Sequence, residues 1–159
     1  MKRYLPLLSI WFSGAAMAAL AISFGNVRAS VGDDGRLEII YSLNGLQSGA
    51  SDIVHGYANV TAVYACVNRG GNAPRAANKR TTYKHPTVGT ATAQAKGNGS
   101  VTGKIFLPVP QDPSFSCPNG QTKALMSVQY SNVRVQESSS DASTAVPGTF
   151  QKTLQGTTR

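Results

Sequence analysis

The sequence predicts a single all-β domain, an antiparallel β-sandwich of roughly immunoglobulin size that is closed by one disulfide. Three observations lead to this prediction. Several segments alternate apolar and polar residues with the period of two that is typical of strands. Turn residues separate these segments at short intervals, and no segment has the period of a helix. The only two cysteines are Cys66 and Cys117. An open barrel is the alternative arrangement of the same strands.

Three segments carry the clearest strand signals. Every second residue is apolar between Arg36 and Leu43, which predicts a strand with one buried face. The run from Asp52 to Asn68 is apolar at both parities towards its end, so we expect a central strand, and Cys66 falls on it. The last clear strand is Lys123–Val135, where the alternation slips at Ser131-Asn132 and predicts a β-bulge.

A hairpin is predicted between residues 87–96 and 100–107, after a short strand at 79–85 that Pro86 ends. If residues 97–99 form a three-residue loop with Gly99 at positive φ, the apolar residues of the two strands face each other across one side. A two-residue turn would mix apolar and polar partners on both sides. The pattern therefore favours the three-residue loop.

The N-terminal segment resembles a secretion signal. Lys2 and Arg3 precede an uncharged, largely apolar run that ends at Val27-Arg28-Ala29, and the small residues there predict cleavage after Ala29. The alternative is an uncleaved membrane anchor, because the run is long enough to span a bilayer. The predicted organisation is a signal peptide at 1–29, a β-sandwich at 30–136, and a disordered Ser/Thr-rich tail at 137–159.

Export changes the interpretation of the cysteines. In an oxidising compartment, two thiols in a small domain are expected to form a disulfide, here between Cys66 and Cys117. Closing a loop of this length stabilises a chain by about 4 kcal/mol in the entropic description. Zinc binding and redox chemistry are disfavoured, because neither cysteine has a histidine nearby or belongs to a CxxC pair.

The charge distribution points to anionic partners. The chain has fifteen basic and seven acidic residues and a net charge of +8; without the three basic residues of the leader it is +5. No acid lies between Asp52 and Asp112, although seven basic residues do. Such a region attracts polyanions outside a cell, such as wall polymers or acidic polysaccharides. The alternative is a solvated loop that keeps the protein soluble.

Several motifs in the domain resemble those of small exported proteins that are common in actinobacteria. The motifs are YACVNRGGN at residues 64–72 with Pro74 and Ala77-Asn78-Lys79 after it, SCPNGQ at 116–121, and VQYSNV at 128–133. They span most of the segment from Asp52 to Val135. The resemblance implies export and a β-fold. It carries over no catalytic residues.

Catalytic and metal-binding patterns are not found. His55 and His85 are far apart, without metal-ligand spacing, and a GxSxG motif is absent. The acids either lie at the edge of the domain (Asp33, Asp34, Glu38) or stand singly at loops (Asp52, Asp112). We therefore expect no enzymatic activity, no cofactor and no metal. Glycosylation sequons begin at Asn59 and Asn98 and would matter only in a eukaryotic host.

The predicted function is that of a secreted, non-enzymatic protein which binds cell-wall or extracellular anionic polymers through a basic loop. The ligand-binding residues proposed are Arg69, Arg75, Lys79, Arg80 and Lys84, with Tyr83 as a stacking partner. Nucleic acid is the weaker candidate, because only one aromatic residue lies among the basic ones. The alternatives are a structural surface or matrix protein without a specific ligand, a secreted toxin or inhibitor, and a hydrolase with dispersed residues. The sequence leaves the ligand, host and oligomeric state open.

Overall fold

Two antiparallel sheets pack face to face in the computed structural model, which describes residues 21–68 and 80–158, with side chains as far as Leu154. No helix is present in this part of the chain, and the predicted all-β sandwich is confirmed. The strands are β1 (Ser23–Val31), β2 (Leu37–Asn44), β3 (Ser51–Val67), β4 (Arg80–Gln94), β5 (Val101–Leu107), β6 (Thr122–Glu137), β7 (Ser143–Ala145) and β8 (Phe150–Thr158).

The smaller sheet has the order β1-β2-β5, and the larger sheet has the order β4-β3-β6. Two short partners, β7 and β8, lie one after the other along the remaining side of β6. The long central strand β3 pairs with β4 over 15 residues and with β6 over most of its length. The predicted bulge is confirmed, since the β3–β6 register shifts opposite Asn132, which has a φ of 52°.

The core lies between the sheets and follows the predicted alternation. On β2, residues 37, 39, 41 and 43 are fully buried, and each such aliphatic or aromatic side chain stabilises the fold by about 1.5–3 kcal/mol. Tyr41 and Tyr130 are the largest buried side chains. The Tyr130 hydroxyl donates to the Gly35 carbonyl oxygen (2.9 Å), so it ties the larger sheet to the β1–β2 turn.

The prediction that residues 87–96 and 100–107 pair with each other as a hairpin is wrong. The prediction of which of their residues face the same side is right. Strands β4 and β5 are consecutive, but they belong to different sheets: β4 pairs with β3, and β5 pairs with β2. Ala93 and Ile105 are both buried as expected, yet they meet the core from opposite sheets. Because β4 gains fifteen paired residues on β3, the longer pairing wins over the local one. Gly99 does adopt a positive φ of 70° in the connecting turn.

The domain extends further in both directions than the sequence predicts. Strands β7 and β8 occupy much of the tail that was expected to be disordered, and Val146 and Leu154 from this region are buried in the core. At the other end, β1 runs through the cleavage site expected after Ala29. Cleavage there would remove seven of the nine residues of β1 and leave β2 as an edge strand.

The predicted disulfide is confirmed. It joins Cys66 at the end of β3 to Cys117 in the Pro-rich loop at 108–121, with the Cα atoms 5.5 Å apart. The same loop is held by hydrogen bonds from Tyr64 to the Pro110 carbonyl (2.8 Å) and from Thr87 to the Pro108 carbonyl (2.9 Å). This loop therefore covers the inner face of β3 and β4 where the smaller sheet does not reach.

Candidate functional site

Three of the six residues predicted to bind a ligand, Arg69, Arg75 and Lys79, lie outside the described residues. The other three lie on β4, the edge strand of the larger sheet, but they do not share a face. Arg80 and Lys84 are exposed on the side away from the core. Tyr83 points to the opposite side, where it packs against the core and stacks on His85 at 5.7 Å. The structure thus places the two cations on the same face of the sheet and Tyr83 on the opposite face.

We use the term outer face for the side of the larger sheet that points away from the core. Strand alternation places on it the odd-numbered residues 53–63 of β3 and the even-numbered residues 80–92 of β4. Strand β6 contributes Ser127, Gln129, Arg134 and Gln136, and β8 contributes Gln151 and Thr153. The sheet here is covered by no other described strand.

Three cations form a row across the outer face. Arg80 and Lys84 are four residues apart on β4, so about 13 Å separates them along the strand. Arg134 lies opposite Tyr57, four residues further in the same direction and two strands away, and hence about 16 Å from Lys84. Arg134 was missed in the sequence because only the β3–β6 register places it on the same face as Arg80 and Lys84.

No strand residue of the outer face is acidic. All seven acidic side chains lie in the described part of the chain, and its three ion pairs are Arg36–Asp34, Lys104–Glu38 (2.7 Å) and Lys152–Asp33. These ion pairs lie elsewhere on the domain. At the end of the face, Asp141 accepts a hydrogen bond from Gln136 (3.1 Å). The cation row is therefore left without carboxylate partners.

The outer face also carries an aromatic cluster. The Arg134 guanidinium lies 4.4 Å from the centre of the Tyr57 ring, and the His55 ring stacks beside Tyr57 at 6.0 Å. Two apolar side chains are half exposed nearby: Val88, directly across from Tyr57 on β4, and Ile53, at the end of β3. Val88 therefore extends the apolar surface of the Tyr57 ring, whereas Ile53 lies four residues away along β3.

A shallow depression of about 220 Å³ lies on the same face, between β3, β6 and β8. Its polar lining consists mainly of uncharged hydroxyl and amide side chains, those of Thr61, Ser127, Gln129, Gln151 and Thr153. Thr61 is the cross-strand neighbour of Lys84 on one side and of Gln129 on the other. The depression is thus continuous with the cation row.

The acids have structural partners. Glu137 is completely buried, and both of its oxygens accept hydrogen bonds from the backbone N–H and hydroxyl groups of Ser139 and Ser140. Burial alone would raise the pKa of the Glu137 carboxyl, but the hydrogen bond that it shares with the Asp52 carboxyl and the hydrogen bonds from these serines outweigh burial and lower the pKa to about 2. Asp52, which was expected to stand singly, therefore meets Glu137.

Asp112 has a comparable structural role in the Pro-rich loop. Its carboxylate accepts hydrogen bonds from the Ser114 N–H (2.9 Å) and hydroxyl (2.7 Å) and from Thr81 (3.3 Å). The hydrogen bond from the Ser114 hydroxyl is the main reason why the pKa of Asp112 is lowered. The carboxylate fixes the loop against β4.

Replacing Glu137 by glutamine tests the structural role of this carboxylate. The ordinary pKa is 4.5 and the folded-state pKa is about 2, so ionised Glu137 stabilises the fold above pH 4.5, and this contribution is lost as the pH falls towards 2. Glu137→Gln should lower the free energy of unfolding at pH 7 by about 2 kcal/mol and flatten its decline between pH 4.5 and 2. Urea unfolding across this range measures both effects; an unchanged pH profile would contradict the assignment.

A histidine–serine contact occurs at the end of the outer face. His55 Nε2 lies 3.0 Å from the Ser138 hydroxyl oxygen. The cross-strand neighbours of His55 are Thr90 and Gln136, so no carboxylate is in register to orient the imidazole as a general base. His85 contacts the carbonyl oxygen of Pro86 and the Tyr83 ring. Within the described residues neither histidine meets an acid.

No group of three or more metal-binding side chains occurs in residues 21–68 and 80–158, and these residues contain no helix long and apolar enough to cross a membrane. Of the two sequons, Asn59 lies exposed in the middle of the outer face, and Asn98 lies in the exposed β4–β5 turn. A glycan on Asn59 would cover the cation row. Comparison with protein-family models, curated proteins and solved structures found no match.

Proposed function

We propose that the protein is a secreted, non-enzymatic β-sandwich that binds anionic polymers outside the cell through the outer face of its larger sheet. The observation that carries this proposal is the row of Arg80, Lys84 and Arg134 on a sheet face without acidic strand residues. Cations that are not neutralised by a carboxylate create a positive potential, which attracts a linear polyanion along the row. The other cations of the basic loop proposed from the sequence, Arg69, Arg75 and Lys79, lie outside the described residues.

The other sheet shows why the outer face is preferred. At the smaller sheet, Glu38 neutralises Lys104 at 2.7 Å and Asp34 neutralises Arg36, which leaves Arg28 as the one cation there without a carboxylate partner among the described residues. A polymer that binds there would have to compete with these carboxylates. Within the described residues, no carboxylate pairs with Arg80, Lys84 or Arg134.

The proposal is tested with a triple variant in which Arg80, Lys84 and Arg134 are replaced by alanine. Each exposed ion pair contributes up to about 1 kcal/mol, so the triple variant should bind immobilised polygalacturonate roughly tenfold more weakly. Binding of the wild type should also be lost at about 1 M salt, where the screening length falls to about 3 Å. Equilibrium binding at low and high salt measures both effects.

The matched control replaces Arg28, Arg36 and Lys104 by alanine. This control removes the same charge, but from the smaller sheet and its edge, where Arg36 and Lys104 already have carboxylate partners. It should leave the affinity within about twofold of the wild type. Equal weakening by both triple variants would show that only net charge matters, and retention that is insensitive to salt would refute the proposed mechanism.

Export is part of the same proposal, and the position of β1 changes the expected processing site. Because cleavage after Ala29 would remove most of β1, we expect cleavage after Ala18 or Ala21, each of which ends a triplet with small residues at its first and third positions. N-terminal sequencing of the exported protein should then begin at Ala19 or Ile22. A mature protein that begins at Ser30 would contradict this expectation.

A further inference from the structure

We infer that the polymer bound by the outer face is an acidic polysaccharide whose uncharged hydroxyl groups are recognised in the depression beside the cation row. This inference rests on the proposed function and narrows it to one class of ligand. It is supported by the set of uncharged polar and apolar side chains on the outer face. Attraction of a polyanion by charge alone gives these side chains no role.

The first argument is the chemistry of the depression. A simple polyanion offers only charges, whereas Gln129, Gln151 and Thr153 present neutral donors and acceptors beside the cation row. Amide and hydroxyl side chains can each donate and accept hydrogen bonds. Sugar hydroxyl groups have the same dual character. The depression therefore complements a sugar and offers no cation to a second phosphate or carboxylate except Lys152, which is already paired with Asp33.

The second argument is the environment of Tyr57. Its ring is held by the Arg134 guanidinium at 4.4 Å, and Val88 lies half exposed beside it on the next strand. A pyranose ring has an apolar C–H face, which packs on such a surface, and a carboxylate substituent is a good partner for a guanidinium. This corner thus provides one apolar and one cationic contact side by side.

The third argument concerns the spacing of these two features along β3. Tyr57 and Thr61 lie on the same side of the strand and are four residues apart, which places the aromatic corner about 13 Å from the depression. Lys84 is opposite Thr61. An extended chain of several sugars therefore reaches both features and the cation row at once, without bending.

Polyphosphate and single-stranded nucleic acid fit this surface less well. Polyphosphate has neither hydroxyl groups nor an apolar face, so it would use only the cation row. Single-stranded nucleic acid is typically held by bases that stack on open aromatic rings. Apart from His55, which already stacks beside Tyr57, the described strands of the outer face carry no further aromatic ring, so successive bases would have no row of rings to stack on.

The test compares polygalacturonate with inorganic polyphosphate and oligo-dT, each binding to the wild type and to a double variant, Gln129→Ala/Gln151→Ala. Both glutamines are exposed, so the variant is expected to fold. Its affinity for polygalacturonate should fall about fivefold, and its affinity for polyphosphate should change by less than twofold. The matched control, Gln47→Ala/Gln111→Ala, removes two exposed glutamines from loops and should bind both polymers as the wild type does.

The outcomes separate this inference from the function on which it rests. Recognition of sugars is refuted if the wild type binds polyphosphate or oligo-dT as tightly as polygalacturonate. It is also refuted if the double variant loses affinity for all ligands equally or for none. In both cases the proposal of polyanion binding stands. If the wild type binds none of the three polymers at low salt, the proposed function fails as well. Selective weakening for polygalacturonate supports the inference.

Discussion

Replacing Gly89 by alanine should destabilise the protein by about 3 kcal/mol or more, because the two sheets approach most closely at this residue. Gly89 pairs with Gly56 across β3 and β4. A Cβ atom on Gly89 would collide with the backbone carbonyl oxygen of Phe106 on β5 and would lie 3.0 Å from the Ile105 side chain. A backbone carbonyl cannot rotate away as a side chain can, so the sheets would have to separate and loosen the core.

Urea unfolding of the Gly89→Ala variant, compared with that of a Gly97→Ala control variant, measures this effect. Gly97 is an exposed glycine in the β4–β5 turn, and a Cβ atom there would meet nothing within 4 Å, so its replacement should change the free energy of unfolding by less than about 0.5 kcal/mol. A Gly89→Ala variant with the same unfolding midpoint as the Gly97→Ala control would show that the sheets do not cross at β4 and β5 as described.

Removing the disulfide by Cys66→Ala/Cys117→Ala should lower the free energy of unfolding by about 4 kcal/mol. The two cysteines are 51 residues apart, so the crosslink removes many conformations from the unfolded chain. The folded state should change little, because Tyr64 and Thr87 hold the Pro-rich loop through hydrogen bonds of their own. For a small domain of ordinary stability, this loss leaves the fold only marginally stable.

Urea denaturation of the double variant and of the wild type, followed by far-UV circular dichroism, checks the prediction. The near-native spectrum of the variant at low denaturant is the control for an intact fold. A decrease of less than about 1 kcal/mol in the free energy of unfolding would contradict the prediction. It would mean that the unfolded chain is already restricted between residues 66 and 117 without the crosslink. Adding a reductant to the wild type should reproduce the behaviour of the variant.

Side-chain direction was predictable from the sequence to a large extent, but strand pairing was not. Alternation in 36–43 correctly separated buried from exposed positions, because burial on one face of a strand imposes a period of two. The apolar residues at both parities near the end of 52–68 correctly indicated a central strand. Alternation does not identify the partner strand. The residues of β4 and β5 satisfied a local hairpin equally well, and only the long match between β3 and β4 decided the topology.

The ends of the domain were missed for different physical reasons. Strand β1 overlaps the end of the uncharged, largely apolar run at the start of the sequence, so its residues were assigned to the predicted signal peptide. Strand β8 is rich in Thr and Gln and buries little beyond Leu154, so its segment lacks the apolar period of a strand. Edge strands need only one paired side, which weakens the sequence signal further.

The candidate site was only half predictable. The absence of acids between Asp52 and Asp112 drew attention to Arg80 and Lys84, which the structure places on the outer face. Arg134 is about fifty residues away along the chain, and its place in the row depends on the β3–β6 register and on the bulge at Asn132. Tyr83 is separated from Arg80 and Lys84 because it occupies an odd-numbered position of β4 and they occupy even-numbered ones. The period of two was not used for this segment when Tyr83 was predicted to join the site.

The central claim is that an acidic polysaccharide lies along the outer face of the larger sheet. Titrating ¹⁵N-labelled protein with galacturonic-acid oligomers and mapping the amide and side-chain shifts by NMR tests it most directly. We predict that the perturbed residues cluster around Lys84, Arg134 and the side-chain amides of Gln129 and Gln151, with little change on β1, β2 and β5. Perturbations centred on the smaller sheet, or none at saturating oligomer, would contradict the claim.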